Sequence, residues 1–124
     1  MSTRPRVLLA DDHPGVARAL SRLLSVECDV VGLVDDGSEV ANAAARLQPV
    51  VVVLDVNLPN VNGLDACREI RRNNPRARVI VISAMIDDAI TKEAQSAGAS
   101  SFVDKSAMGE ELLLAIKQAW AEAS

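Results

Sequence analysis

Apolar residues in this chain fall into two alternating patterns. Short unbroken runs are separated by longer segments in which apolar positions recur every three or four residues. The runs are Arg6 to Ala10, Asp29 to Val34, Val50 to Leu54, Arg76 to Ser83 and Ala99 to Asp104. Four consecutive valines and a leucine, Val50 to Leu54, without polar alternation, suit a strand buried on both faces, as in a parallel sheet covered by helices. The preceding Pro49 and the β-branched side chains disfavour a helix there. The recurrent segments predict helices. The first starts at Pro14, with Val16, Ala19, Leu20, Leu23 and Leu24 inward. The second is capped by Ser38, with Val40, Ala44 and Leu47 inward, and the third starts near Asn62 with its phase marked by Leu64, Cys67 and Ile70 or Arg71. Asp87 or Asp88 caps the fourth, with Ile86, Ile90, Ala94 and Ala97 inward and Gly98 ending it left-handed. Ser106 caps the last, with Leu112, Leu113, Ile116, Ala119 and Trp120 inward and Glu110 and Glu111 complementing the macrodipole in its first turn.

Five strands alternating with five helices through short loops imply right-handed crossovers. The expected fold is therefore α/β: a five-stranded parallel sheet with helices on both faces, the doubly wound, flavodoxin-like arrangement. The pattern leaves strand order open. With 124 residues and neither repeats nor linkers, the expectation is one domain spanning residues 1–124.

Composition narrows the function. A net charge of −4 and only two aromatic residues, Phe102 and Trp120, make the domain a poor grip for nucleic acid by itself. Cys28 and Cys67 lack metal-site spacing and are expected to be buried thiols in a reducing compartment. No apolar run approaches the ~18 residues of a membrane span, and the first residues lead directly into a strand. A cytoplasmic location without membrane contact is expected.

Side by side, the strands bring Asp11, Asp12, Asp55, Ser83 and Lys105 to one edge, because each lies at or just past a strand's carboxyl end, where ligands of such sheets collect. Three carboxylates packed together repel by a few kcal/mol per pair at an effective dielectric of about 20, so the group calls for a cation. Oxygen donors without histidine or thiolate companions favour Mg²⁺. Lys105 adds an ammonium and Ser83 a hydroxyl donor. Together with the cation these groups suit the three oxygens of a phosphoryl group, with Asp55 as the nucleophile. Taken singly, the aspartates read as turn or cap residues, Ser83 as a turn residue and Lys105 as a solvated lysine. Their coincidence at four strand ends carries the reading. A phosphohydrolase would want a second carboxylate where Asn57 stands. A flavin binder would want a glycine-rich loop where DDHPG stands.

LLADDHP, LDVNLPNVNG, VIVISA and GASSFVDKS together resemble the receiver domains of bacterial two-component response regulators, over essentially the whole chain. The resemblance implies that Asp55 accepts phosphate from a sensor histidine kinase. Asp11, Asp12 and Asp55, with the backbone carbonyl of Asn57, would hold Mg²⁺. Ser83 and Lys105 would contact the phosphoryl group, and Phe102 would change rotamer as the fourth and fifth helices and fifth strand repack. No activity on outside substrates is implied beyond self-phosphorylation and autodephosphorylation. The DDHP and FVDKSA strings are most similar to receivers attached to LuxR-type helix-turn-helix domains. DNA contact is thus expected only through an output domain outside these residues. A homodimer through the switching face and a stand-alone receiver acting by protein contacts are further expectations. Asn57 and Met85, two residues beyond Asp55 and Ser83, are expected to tune the lifetime of the acyl phosphate. Phe102 lacks the tyrosine hydroxyl of many relatives, so switching would work through packing.

Overall fold

The computed structural model describes residues 4–85 and 87–123. Strands β1 (Arg6–Ala10), β2 (Asp29–Val34), β3 (Val51–Asp55), β4 (Arg78–Ser83) and β5 (Ser101–Asp104) alternate with helices α1 (Pro14–Ser25), α2 (Gly37–Leu47), α3 (Gly63–Asn73), α4 (Asp88–Ser96) and α5 (Met108–Ala123). A short 3₁₀ turn, Lys105–Ala107, precedes α5. All the strand pairs are parallel, in the order β2-β1-β3-β4-β5. This order, which the pattern left open, sets β1 beside β3. The first connection runs outward to β2 and the second returns across β1, so the chain reverses its direction of travel there and opens a crevice at the carboxyl ends of β1 and β3.

Strand alternation divides the core in two. Leu8, Ala10, Val52, Leu54, Val79 and Val81 face α2, α3 and α4 through Val40, Ala44, Leu64, Cys67, Ile70 and Ala94. Val7, Leu9, Val51, Val53, Ile80, Ile82 and Val103 face α1 and α5 through Leu20, Leu24, Leu112, Ile116 and Ala119. β3 is buried along its whole length, as its valine run predicts. Both cysteines are free and buried. Burial pushes the Cys67 thiol up to about 11, and its Sγ donates to the Ala97 carbonyl at 3.4 Å.

Several element ends differ from the sequence reading, for local reasons. Helix α1 buries Ala17 and leaves Ala19 exposed, while Val16 and Leu23 pack only partly. Asp36, not Ser38, caps α2: its carboxylate accepts from the Ser38 amide at 2.8 Å and the Ser38 hydroxyl at 2.7 Å. Asp104, not Ser106, does the same before the 3₁₀ turn, accepting from the amide and hydroxyl of Ser106 at 2.8 Å, and α5 begins only at Met108. An aspartate two residues ahead of a serine outcompetes it, because the ionised acceptor makes the stronger bond to the free amides. These bonds hold the Asp36 and Asp104 carboxyls below the usual carboxylate range. β4 and β5 each start two residues later than expected, at Arg78 and Ser101. Helix α3 is capped by Asn62 and α4 by Asp87, and Gly98 is left-handed at φ 94°. In α5, Leu113 and Trp120 are half-buried, and Ile90 in α4 likewise. Ile86 lies outside the described residues.

Candidate functional site

The β1 and β3 ends meet as expected, and with them comes a residue that the sequence reading did not include. Asp11 follows β1 and is buried, Asp55 ends β3 with its side chain 1% exposed, and Lys105 follows β5. Lys105 Nζ donates to Asp55 Oδ2 at 2.8 Å and lies 3.1 Å from Asp11 Oδ2. The second contact has ion-pair distance without hydrogen-bond alignment, so Asp11 Oδ2 is buried with no hydrogen bond. Desolvation pulls the lysine's affinity for its proton down. The pairing with Asp55 and Asp11 outweighs it and leaves the Lys105 pKa raised.

The added residue is His13. Its Nδ1 lies 3.1 Å from Asp11 Oδ1, 3.1 Å from Asp12 Oδ1 and 3.9 Å from Asp55 Oδ2. Ligating atoms of Asp11, Asp12, His13 and Asp55 all fall within 4.8 Å of one another. An imidazole thus stands among the carboxylates, beside the expected oxygen donors. The local cause is Pro14 at the start of α1. It keeps the preceding residue extended, and His13, at the cap position with φ −93° and ψ 106°, directs its ring back over the strand end instead of along the helix. Its backbone amide also donates to Asp11 Oδ1 at 2.9 Å. A histidine next to an acidic pair and ahead of a helix-starting proline was the available signal.

The loop after β3 is fixed from two sides. The Asn57 amide donates to Asp55 Oδ1 at 3.1 Å, while the Asn57 side chain is exposed. On one flank, Gly37 at the start of α2 donates to the Pro59 carbonyl at 3.0 Å, and Asn60 Nδ2 donates to Asp36 Oδ2 at 2.6 Å. On the other, Gly63 opens α3 directly against β3. A Cβ on Gly63 would stand 2.1 Å from the Asp55 carbonyl oxygen, and one on Gly37 1.6 Å from that of Val61. Only glycine permits these approaches. Leu58 is buried beneath the loop.

Ser83 ends β4 beside β3 and is buried, but its hydroxyl is turned to its own loop. It donates to the Met85 carbonyl at 3.0 Å and accepts from the Met85 amide at 3.2 Å. Phe102, opposite Val81 in β5, is half-buried against the α2/α3/α4 side of the core. Met85 is largely exposed.

A β2-β1-β3-β4-β5 parallel sheet with an acidic crevice at β1 and β3, flanked by a strand-end hydroxyl and lysine, defines a response regulator receiver. The chain belongs to that family: the response regulator receiver domain matches residues 7–117. It is 36% identical to the response regulator GacA of Pseudomonas aeruginosa, over 94% of this chain and 55% of that protein. It is 40% identical to the DNA-binding transcriptional activator DevR/DosR of Mycobacterium tuberculosis, over 90% of this chain and 52% of that protein. The chain therefore spans about half the length of these curated relatives. Among solved structures, a LuxR-family two-component response regulator from Aurantimonas sp. SI85-9A1 superposes with a TM-score of 0.91 at 33% identity, covering 96% of this chain and 86% of that one. Among the described residues, no helix is long and apolar enough to cross a membrane.

Proposed function

We propose that this receiver is a phosphorylation switch in which Asp55 takes a phosphoryl group from the phosphohistidine of a sensor histidine kinase. The observation that carries the proposal is the Asp55 carboxylate, buried at a strand end yet held between the Lys105 ammonium and the Asn57 amide. A side chain so fixed is oriented for attack at little further entropic cost. One Asp55 oxygen attacks phosphorus and forms the acyl-phosphate P–O bond. The P–N bond to the kinase imidazole breaks, its electron pair returning to that nitrogen, which takes up a proton. Lys105, released from Asp11 and Asp55, swings its charge to a phosphoryl oxygen.

The site fits a divalent cation. Three carboxylates converge beside the Lys105 ammonium, which lies 3.1 Å from buried Asp11 Oδ2 and 2.8 Å from Asp55 Oδ2. Asp11, Asp12, Asp55 and the Asn57 carbonyl would hold Mg²⁺, which when bound supplies positive charge against the phosphoryl oxygens. The Ser83 hydroxyl leaves Met85 to donate to the phosphoryl group. Its loop follows, and half-buried Phe102 repacks inward as α4, β5 and α5 shift. Exposed Asn57 and Met85 border the acyl phosphate and set how fast water reaches it.

In this reading residues 1–124 form the regulatory unit of a cytoplasmic transcriptional regulator that reaches DNA through an output domain. Similarity to a transcriptional activator over half of its length supports this. Homodimerisation through the shifted face would be the step from receiver to output. The test is the intact mass of the protein after incubation with Mg²⁺ and a small acyl-phosphate donor, beside an Asp55→Asn control. A phosphoryl adduct that requires Mg²⁺ and is missing from the control is expected. Equal labelling of the control would move the acceptor to another residue and sink the proposal.

A further inference from the structure

We infer that Asn60 and Asp36 are positioning residues for Asp55: the bond between their side chains holds the loop after β3 so that the Asn57 amide stays on the Asp55 carboxylate. The inference rests on the reading of Asp55 as the phosphoacceptor, and adds to it a pair of residues outside the acidic crevice that set how fast it reacts. The loop, residues 56–62, is fastened at its base and at its tip. At the base Val56 donates to the Ile82 carbonyl at 3.0 Å and Gly63 to the Val56 carbonyl at 2.8 Å. At the tip the loop hangs on the start of α2, where Gly37 donates to the Pro59 carbonyl at 3.0 Å and Asn60 Nδ2 to Asp36 Oδ2 at 2.6 Å. Asn57 lies between, with its amide 3.1 Å from Asp55 Oδ1. Pro59, its φ fixed by the ring, stiffens the span from Asn57 to Asn60, so a displaced tip turns the Asn57 peptide.

The backbone of Asn60 supplies a second, independent observation. Its φ of 68° lies in the left-handed region, which glycine enters without steric cost and other residues do not. An asparagine kept there is explained by its side chain, which makes a bond that glycine cannot. Asp36 divides its carboxylate accordingly. Oδ1 accepts from the amide and hydroxyl of Ser38 and caps α2, while Oδ2 is given to the loop. One ionised acceptor thus joins a helix start to the loop tip, and a bond to an anion is stronger than one between neutral groups.

Asn60→Gly, Asn60→Asp, Asp36→Asn and the exchange Asp36→Asn/Asn60→Asp are compared with wild type. Asn60→Gly keeps the left-handed backbone and removes the bond without altering charge. Asn60→Asp sets two carboxylates against each other, and the exchange restores one donor and one acceptor at the wild-type net charge. Initial rates of Asp55 labelling by a small acyl-phosphate donor with Mg²⁺ are read by intact mass, at a temperature where every form is folded, beside the Asn57 amide resonance and the urea midpoint. Labelling should slow about tenfold in Asn60→Asp and about threefold in Asn60→Gly, as small misplacements of a reacting group cause. The Asn57 amide proton should move upfield in both as it leaves the carboxylate. The exchange should bring the rate back to within about twofold of wild type, the signature of a direct pair. A lower urea midpoint with labelling and the Asn57 resonance unchanged would leave the pair a helix cap and overturn the inference. So would slowing in Asn60→Asp that the exchange does not reverse while Asn60→Gly labels like wild type, since charge alone would then be the cause. Absence of labelling in the wild type would overturn the reading of Asp55 and the inference with it.

Discussion

The two flanks of the crevice are built differently. On the β3 side the loop is wedged between Gly37 and Gly63, floored by buried Leu58, and continues into α3, which buries Gly63, Leu64, Ala66, Cys67 and Ile70. On the β4 side the Ser83 hydroxyl is bonded, among the described residues, only to the Met85 backbone, Met85 is exposed, and α4 buries Ala94 alone. Dense packing has one low-energy arrangement, whereas a sparsely anchored helix has neighbouring ones within reach. The site thus joins a densely packed flank to a sparsely anchored one.

The largest effect should come from spoiling the fixed flank. Gly63→Ala drives a Cβ into the Asp55 carbonyl, a backbone contact that cannot yield cheaply, and should lose about 3 kcal/mol or more in urea unfolding together with acyl-phosphate labelling. Gly109→Ala, with nothing within 4 Å of the added Cβ, should be within about 0.5 kcal/mol of wild type. If the two were equal, the wedge would be no wedge. Next, Ile70→Ala in α3 should cost about 3 kcal/mol, and Ile90→Ala in α4, half-buried, about 1 kcal/mol or less. A reversed order would erase the contrast between the flanks.

Lys105 ties the carboxyl end of β5 to the buried carboxylates, and Lys105→Met should cost about 2 kcal/mol near neutral pH without divalent ions, since it strands buried anions. Added Mg²⁺ should return most of that loss. The sign with pH follows from its raised pKa. The stabilisation is fully present below the unfolded lysine value of about 10.4 and is lost as pH climbs through the higher folded value, so wild type and Lys105→Met should converge in stability at strongly alkaline pH. A smaller loss of stability than that of Lys105→Met is expected for Ser83→Ala, about 1 kcal/mol or less, because the freed Met85 amide lies in an exposed loop. That variant should still be labelled at Asp55, while amide chemical shifts in α4 no longer respond to labelling.

The contrast also separates what the sequence displays from what it conceals. The apolar runs that end in Asp55 and, after Ala10, in Asp11 are visible because burial on both faces imposes an unbroken apolar string and leaves polar groups only at its end. Strand order is invisible, since each strand is equally apolar whichever neighbour it pairs with. The capping exchanges at Asp36 and Asp104 were hidden because aspartate and serine two residues apart both suit a helix start, and only the loop's path decides which meets the amides. His13 was hidden for a related reason: in a loop, periodicity says nothing of side-chain direction, and it took the extended backbone before Pro14 to aim the ring.

The two buried cysteines bear on a different use of the molecule. Thiolates, not thiols, react with alkylating reagents, and Cys67 is both enclosed and pushed up to about 11, while burial and the neighbouring Glu27 raise Cys28. The native chain is therefore nearly silent to maleimides. A single cysteine introduced at exposed Asn42, on the outward face of α2, would be the sole reactive handle, and a dye attached there would sit on the densely packed flank, a reference point against which a second probe on α4 would test the proposed displacement.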